Sequence, residues 1–104
     1  MVEVVTSATF DSWLQKLKDR RAAARVLIRI DRLAAGNPGD VKPVARGVSE
    51  LRINYGPGYR VYFLREGDRL ALLLTGGDKS TQNADIRAAH TIADTWHRRQ
   101  GAHE

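Results

Sequence analysis

The stretch SELRINYGPGYRVYFLREGDRLALLLT, residues 49–75, decides the fold of this chain. Apolar and polar residues alternate along residues 49–55 and again along residues 59–64, which is the pattern of β-strands with one buried face. The turn sequences GPG and EGD separate these segments from each other and from LALLLT, which is apolar on both faces and typical of a central strand. The stretch therefore predicts a three-stranded antiparallel meander.

Helical patterns surround this meander. VEVV predicts a short first strand, and FDSWLQKL carries apolar residues at i, i+3, i+4 and i+7, which predicts a helix that is capped by Thr6 or Ser7 and ends near Asp19. A second helix follows and ends at Gly36, and a third begins near Ser80, Thr81 or Asn83. The prediction is an α+β fold of order β-α-α-β-β-β-α with helices packed on the antiparallel sheet. We expect one domain over residues 1–97 and a polar, frayed tail over residues 98–104.

Composition restricts the class of protein. The chain has 104 residues, 42% of them hydrophobic and none of them cysteine, so it suits one globular domain in a reducing compartment. No signal peptide or membrane-spanning run is recognisable, and we expect a cytoplasmic protein without membrane contact. Lys and Arg number 17 against 12 Asp and Glu, and 13 of the cations are arginines. This bias is typical either of a basic solvated surface or of one that binds a polyanion or an acidic protein partner.

The meander carries the candidate site. The face opposite Leu51, Ile53 and Val61 should display polar residues that could bind an RNA backbone, with arginines and lysines on phosphates and tyrosines stacking on bases. If a carboxylate or lysine there moved a proton, the same face could cleave a phosphodiester. An ordinary solvent-exposed ladder of charged side chains is the alternative. The candidates for this face are Glu50, Arg52, Arg60, Tyr62, Asp78 and Lys79, with Lys42, Arg46 and Tyr55 nearby.

Other motifs do not carry chemistry. A P-loop would need glycines at positions 73 and 78, where the chain has Leu73 and Asp78. His90, His97 and His103 do not have the spacing of zinc ligands, and no cofactor or metal is expected. A helical stripe of arginines at positions 21, 25, 29 and 32 could be a solvated face or a contact for a polyanion or a partner protein.

Three stretches together resemble a known family. FDSWLQKLKDRRAAARVLIRIDRLAAGNPGDVKPV, GVSELRINYGPGYRVYF and LLLTGGDKSTQNADI are similar to the RelE/ParE superfamily of bacterial type II toxins, and within it to the HigB-like addiction module killer proteins. The resemblance covers roughly residues 8–95. It implies the same fold, a cognate antitoxin that neutralises the toxin, and an antitoxin complex that binds operator DNA.

The resemblance also implies an activity. Many RelE-like proteins are ribosome-dependent endoribonucleases that cut mRNA without a metal. Carried over by position, the catalytic set would be Arg60, Arg52, Glu50, Lys79 and Asp78, and the RNA-binding set would be Lys42, Arg46, Tyr55, Tyr62 and Gln82.

Two features leave alternatives open. Residues 82–86 offer Gln82, Asn83 and Asp85 where relatives often carry a tyrosine or histidine. ParE-like relatives share the fold but inhibit DNA gyrase by binding it, so the fold does not decide the target. A partner that forms the antitoxin complex or binds operator DNA without catalysis is the third possibility. An antitoxin segment could cover either the arginine stripe or the meander face.

Overall fold

A computed structural model describes residues 1–102 of the chain. The elements, in chain order, are β1 (Glu3–Thr6), α1 (Ala8–Lys16), α2 (Arg20–Ala34), β2 (Val41–Pro43), β3 (Val48–Ile53), β4 (Tyr59–Glu66), β5 (Leu70–Gly77), a 3-10 turn (Lys79–Thr81) and α3 (Gln82–Ala102). The predicted α+β fold and the antiparallel meander β3–β4–β5 are confirmed, in a RelE-like topology.

The sheet has five strands in the order β1-β5-β4-β3-β2. The sequence did not predict β2, which pairs antiparallel with β3, nor the parallel pairing of β1 with β5. A register shift between β4 and β5 places two residues, Leu74 and Thr75, on the side of the sheet that carries Tyr62. Such a β-bulge changes the side of the sheet to which the following side chains point. Here the residues after it pair the end of β5 with Arg60.

Helices cover both faces of the sheet. On one face α1 and α2 pack over a core that includes Phe10, Val26, Leu33 and Phe63. On the other face α3 packs Ala89 and Ala93 over a second, smaller cluster of apolar residues. The sheet is thus the middle of three layers, which buries both sides of β4 and β5.

The helix boundaries follow from their caps. Ser7 begins α1 by accepting from the Phe10 amide at 3.0 Å, and its hydroxyl donates to the Leu74 carbonyl at 2.6 Å. Asp19 begins α2 by accepting from the amides of Arg21 and Ala22. The first helix therefore ends three residues earlier than expected, at Lys16.

The C-terminal helix begins where it was expected, at Gln82, directly after Thr81. A 3-10 turn leads into it and is capped by Asp78, whose carboxylate accepts from the Ser80 amide. The helix continues to Ala102, into the segment 98–104 that was expected to fray. The rest of that segment, His103 and Glu104, lies outside the described residues. No helix in residues 1–102 is long and apolar enough to cross a bilayer.

Candidate functional site

Three cations converge at the end of the sheet where β3 ends and β4 begins. Arg52 lies directly opposite Arg60 in the β3–β4 ladder, and Arg60 lies opposite Gly77 at the end of β5, two residues before Lys79. Together they line a cleft of about 250 Å³, which we call the central cleft. Among the described residues, its lining is Asp40, Arg52, Ile53, Asn54, Gly58, Arg60 and Lys79.

A buried carboxylate orders these arginines. Glu50 is 0% exposed, and its Oε2 lies 3.3 Å from Arg60 Nε while its Oε1 lies 3.7 Å from Arg52 Nε. The Arg60 side chain is 8% exposed and that of Arg52 is 41% exposed. Adjacent guanidinium groups repel each other, and Glu50 offsets this repulsion from beneath them. The network therefore holds Arg60 in place and leaves Arg52 with a surface open to the cleft.

Two neutral donors form hydrogen bonds with one oxygen of Glu50. The Tyr62 hydroxyl donates to Glu50 Oε2 at 3.1 Å, and the Gln82 amide donates to the same oxygen at 2.8 Å. Within residues 1–102, Glu50 Oε1 and Arg60 Nε have no partner with hydrogen-bond geometry. Arg60 has a further restraint, since its Nη1 donates to the Gly58 carbonyl at 3.1 Å. The Glu50 carboxylate, which has no access to solvent, thus acts as a positioning group.

The expectation that Tyr62 is exposed is wrong. Tyr62 is 0% exposed because α3 packs over this face of the sheet. Burial, followed by the charge and hydrogen bond of Glu50, raises the pKa of the Tyr62 phenol well above its usual value. It remains a neutral donor to Glu50 and offers no face for a base to stack on.

Tyr55 lies on the opposite side of the sheet from Glu50. It packs against the core beneath α1 and α2, and the guanidinium of Arg25 lies over its ring at 4.6 Å from the centroid. The structure does not bring Tyr55 into the central cleft.

Asp78 forms the turn that presents Lys79. Its carboxylate accepts from the Ser80 amide at 2.8 Å and from the Ser80 hydroxyl. These hydrogen bonds lower the pKa of Asp78, against a smaller opposing effect of burial. Such a carboxylate is a weak proton acceptor, and Asp78 does not line the cleft, whereas Lys79 is exposed and does.

Close packing at Gly77 supports this turn. A Cβ on Gly77 would overlap the Asp85 carboxylate, which accepts a hydrogen bond from the Thr81 hydroxyl. Only glycine lets the start of α3 approach the end of β5 so closely.

Three predicted RNA-binding residues have different surroundings. Lys42 is exposed on β2, directly opposite Glu50. Gln82 is half-buried beneath the cleft and is engaged with Glu50. Arg46 lies in the β2–β3 turn at the other end of the sheet and pairs with Asp94 of α3 at 2.9 Å, so the structure does not bring it to the cleft.

The sequence reasoning missed Asp40, which lines the cleft, and the role of Arg29 in holding its loop. Asp40 lines the cleft and is exposed. Arg29 of α2 donates to the carbonyls of Arg52, Pro38 (2.9 Å) and Asp40 (3.3 Å), which fixes the loop that carries Asp40. Burial lowers the pKa of the Arg29 guanidinium, and the charge of Asp40 opposes this shift. The sequence NPGD marked a turn there, but no local pattern indicated its position against β3.

The arrangement suits an anionic ligand. Arg52, Arg60 and Lys79 surround a concave space, and Arg52 and Lys79 are open to it. Fixed cations of this kind bind phosphate and stabilise the charge that develops on it during transfer. No group of three or more His, Cys, Asp or Glu side chains within residues 1–102 is arranged to hold a metal ion.

Two comparisons with known proteins identify relatives of this chain. The family model described as phage derived protein Gp49-like (DUF891) matches residues 12–96. A Haemophilus influenzae protein described as uncharacterized is 52% identical over 92 residues, which cover 88% of this chain and 93% of the relative. The matched region spans α1 to α3 and includes every residue of the central cleft. The chain belongs to the phage-derived Gp49-like (DUF891) family.

Proposed function

We propose that this chain is the toxin of a type II toxin–antitoxin module and that it cleaves ribosome-bound mRNA without a metal. The Gp49-like family is a RelE- and HigB-like group of addiction module killer proteins, which supports the toxin assignment. The observation that carries the ribonuclease assignment is the central cleft, where Arg52, Arg60 and Lys79 face one space and Glu50 orders the arginines from below.

The proposed chemistry is transfer of the phosphoryl group to the neighbouring 2′-oxygen. The 2′-hydroxyl gives its proton to a carboxylate, the 2′-oxygen attacks phosphorus, and the bond from phosphorus to the 5′-oxygen breaks. The leaving 5′-oxygen takes a proton from the Lys79 ammonium, so the products are a 2′,3′-cyclic phosphate and a 5′-hydroxyl. Arg52 and Arg60 stabilise the charge on the pentacoordinate phosphate.

Asp40 is the best candidate for the proton acceptor. Glu50 is fully buried, and Asp78 is bound to Ser80 with a lowered pKa, whereas Asp40 is exposed and lines the cleft. A general base must come within hydrogen-bond reach of the proton that it takes. We therefore assign the role of general base to Asp40 and not to Glu50 or Asp78. Glu50 acts by positioning Arg60.

The proposal includes partners and location. A cognate antitoxin would neutralise the protein, the ribosome would present mRNA to the cleft, and the toxin–antitoxin complex would bind operator DNA in the cytoplasm. A ParE-like gyrase inhibitor is the second candidate, favoured by one observation: Tyr62, the one predicted base-stacking residue on the cleft face of the sheet, is buried. A non-catalytic partner in the antitoxin complex is the third.

Primer extension on a defined mRNA in a translating cell-free system tests the proposal. Wild-type protein should produce cuts only when ribosomes are present. Arg52→Ala should lower the cleavage rate by roughly 10²–10³-fold and Asp40→Asn by at least about 10²-fold. Both side chains are open to solvent, so their replacement should leave the fold intact.

Arg69→Ala is the matched control, because Arg69 is an exposed arginine at the opposite end of the meander, where it pairs with Glu66. Its cleavage rate should equal that of the wild type. Intact mRNA at protein concentrations that inhibit growth would refute the ribonuclease assignment, and inhibition of gyrase supercoiling would then support the ParE-like alternative.

A further inference from the structure

A second groove adjoins the central cleft. It has a volume of about 340 Å³ and lies between α2 and the end of β3. Its lining is Arg25, Ile28, Arg29, Arg32, Ile53 and Asn54, and we call it the α2 groove. Ile53 and Asn54 line both the α2 groove and the central cleft. The two concavities are therefore neighbours, and one chain molecule can have adjacent groups in both.

The α2 groove is strongly basic. Arg25 and Arg32 are exposed and lie seven residues apart, on the same face of α2. Among the described residues, no acidic side chain lines this groove. Asp31 precedes Arg32 by one residue and therefore points roughly 100° away around the helix. The groove thus attracts anions over the length of two helical turns.

Its surface also suits a planar ring. The Arg25 guanidinium lies over the Tyr55 ring at 4.6 Å from the centroid, and this cation–π contact restrains it. Ile28 is 52% exposed and adds an apolar surface. Single-stranded RNA is recognised by cations that contact its phosphates and by guanidinium or aromatic planes on which its bases stack.

We propose that the α2 groove binds the segment of single-stranded RNA that adjoins the phosphate held in the central cleft. Arg25 and Arg32 contact phosphates, and a base packs against the Arg25 plane and Ile28. This subsite rests on the proposed function, because the central cleft supplies the neighbouring phosphate position. The shared lining of the two concavities, which puts the groove beside the proposed phosphate position, favours an RNA strand over an acidic protein segment as the occupant.

Binding of a non-cleavable oligonucleotide tests the subsite without any need for activity. The probe is a fluorescein-labelled 2′-O-methyl RNA hexamer, followed by anisotropy between 50 and 200 mM salt. For single strands, each phosphate contact contributes about 0.7 to the slope of log K against log salt. Arg25→Ala/Arg32→Ala should lower that slope by about 1.4 and weaken binding about 25-fold at 0.1 M salt.

The control is Arg20→Ala/Arg69→Ala, which removes the same charge. Arg20 is on α2 but lies outside the groove lining, and Arg69 is at the far end of the meander. This variant should weaken binding less than about 2-fold. Equal effects of the two double variants, or no binding of the hexamer to wild-type protein, would overturn the subsite.

Three further outcomes separate the hypotheses. If poly-L-glutamate competes as well as the hexamer and is weakened equally by the groove substitutions, the groove is a surface for acidic proteins and the RNA subsite is refuted. If wild-type protein cuts mRNA but the groove variant keeps its affinity and salt slope, only the subsite fails. If the groove variant loses affinity while wild-type protein cuts nothing, the proposed ribonuclease function fails and the α2 groove remains a binding site for single-stranded RNA.

Discussion

Replacement of Glu50 by glutamine tests whether the buried carboxylate holds the cleft arginines. Glu50→Gln keeps the shape of the side chain but removes the negative charge that lies 3.3 Å from Arg60 and 3.7 Å from Arg52. Arg60 then becomes a buried cation without a counter-charge. Breaking a buried ion pair in this way costs about 3–5 kcal/mol, so the free energy of unfolding should fall by that amount.

The loss is large enough for routine calorimetry. In a domain of this length, 1 kcal/mol corresponds to about 4–8 °C in the melting temperature, so a loss of about 3–5 kcal/mol should make Glu50→Gln melt roughly 12–40 °C below wild type. The double variant Glu50→Gln/Arg60→Met removes both charges and should be more stable than the single glutamine variant. The coupling free energy from this double-mutant cycle should be at least about 2 kcal/mol.

Either of two results would refute this account of Glu50. A melting temperature for Glu50→Gln within about 4 °C of wild type would mean that Arg60 does not depend on the carboxylate. Strictly additive effects of the two substitutions would mean that the two side chains do not interact. Arg69→Ala, at an exposed pair, is the control and should change the free energy of unfolding by less than about 1 kcal/mol.

Three other substitutions give distinct signatures. Folding raises the pKa of Tyr62, so the contribution of its neutral phenol to the free energy of unfolding is complete below about pH 10. Above that pH the contribution is lost by about 1.4 kcal/mol per pH unit. Tyr62→Phe should lack this alkaline loss in urea titrations, and a dependence of stability on pH equal to that of the wild type would contradict the burial of the phenol. The pKa of Asp78 is lowered by Ser80, so Asp78→Ala should cost about 1 kcal/mol at neutral pH, and the difference from wild type should vanish as pH falls below the ordinary aspartate value. Gly77→Ala should lower the free energy of unfolding by about 1–3 kcal/mol because its Cβ meets Asp85, and a wild-type melting curve would show that α3 does not pack so closely on β5.

The sequence predicted the meander because its signals are local. Alternation along β3 and β4 and the two glycine turns are readable without tertiary information, and the structure confirms them. Strand β2 was missed because it has three residues and ends in Pro43, too short to show a period of two. The parallel pairing of β1 with β5 depends on contacts between distant residues and leaves no local pattern.

The site was predictable only as a set of residues on one face. Alternation correctly places Glu50, Arg52, Arg60 and Tyr62 together, but it cannot tell whether a helix covers that face. The apolar stripe of α3 would fit either side of the sheet, and its actual position turns an expected solvent-exposed ladder into a buried network. Asp40 was missed for a related reason: its loop reaches the cleft through hydrogen bonds from Arg29, a residue that the sequence offered only as part of a surface stripe.

The burial of Glu50 explains how a small sheet can present clustered cations. Arg52 and Arg60 are cross-strand neighbours, an arrangement that like charges destabilise on an open sheet. Covering this face with α3 strengthens the attraction between Glu50 and both arginines, while the hydroxyl of Tyr62 and the amide of Gln82 stabilise the carboxylate. The guanidinium groups are therefore held in position before any ligand arrives, so a phosphate entering the cleft meets cations that need not reorganise. Arg52, with its exposed surface, is the one that a ligand can contact most directly, and Arg60 is the fixed charge behind it.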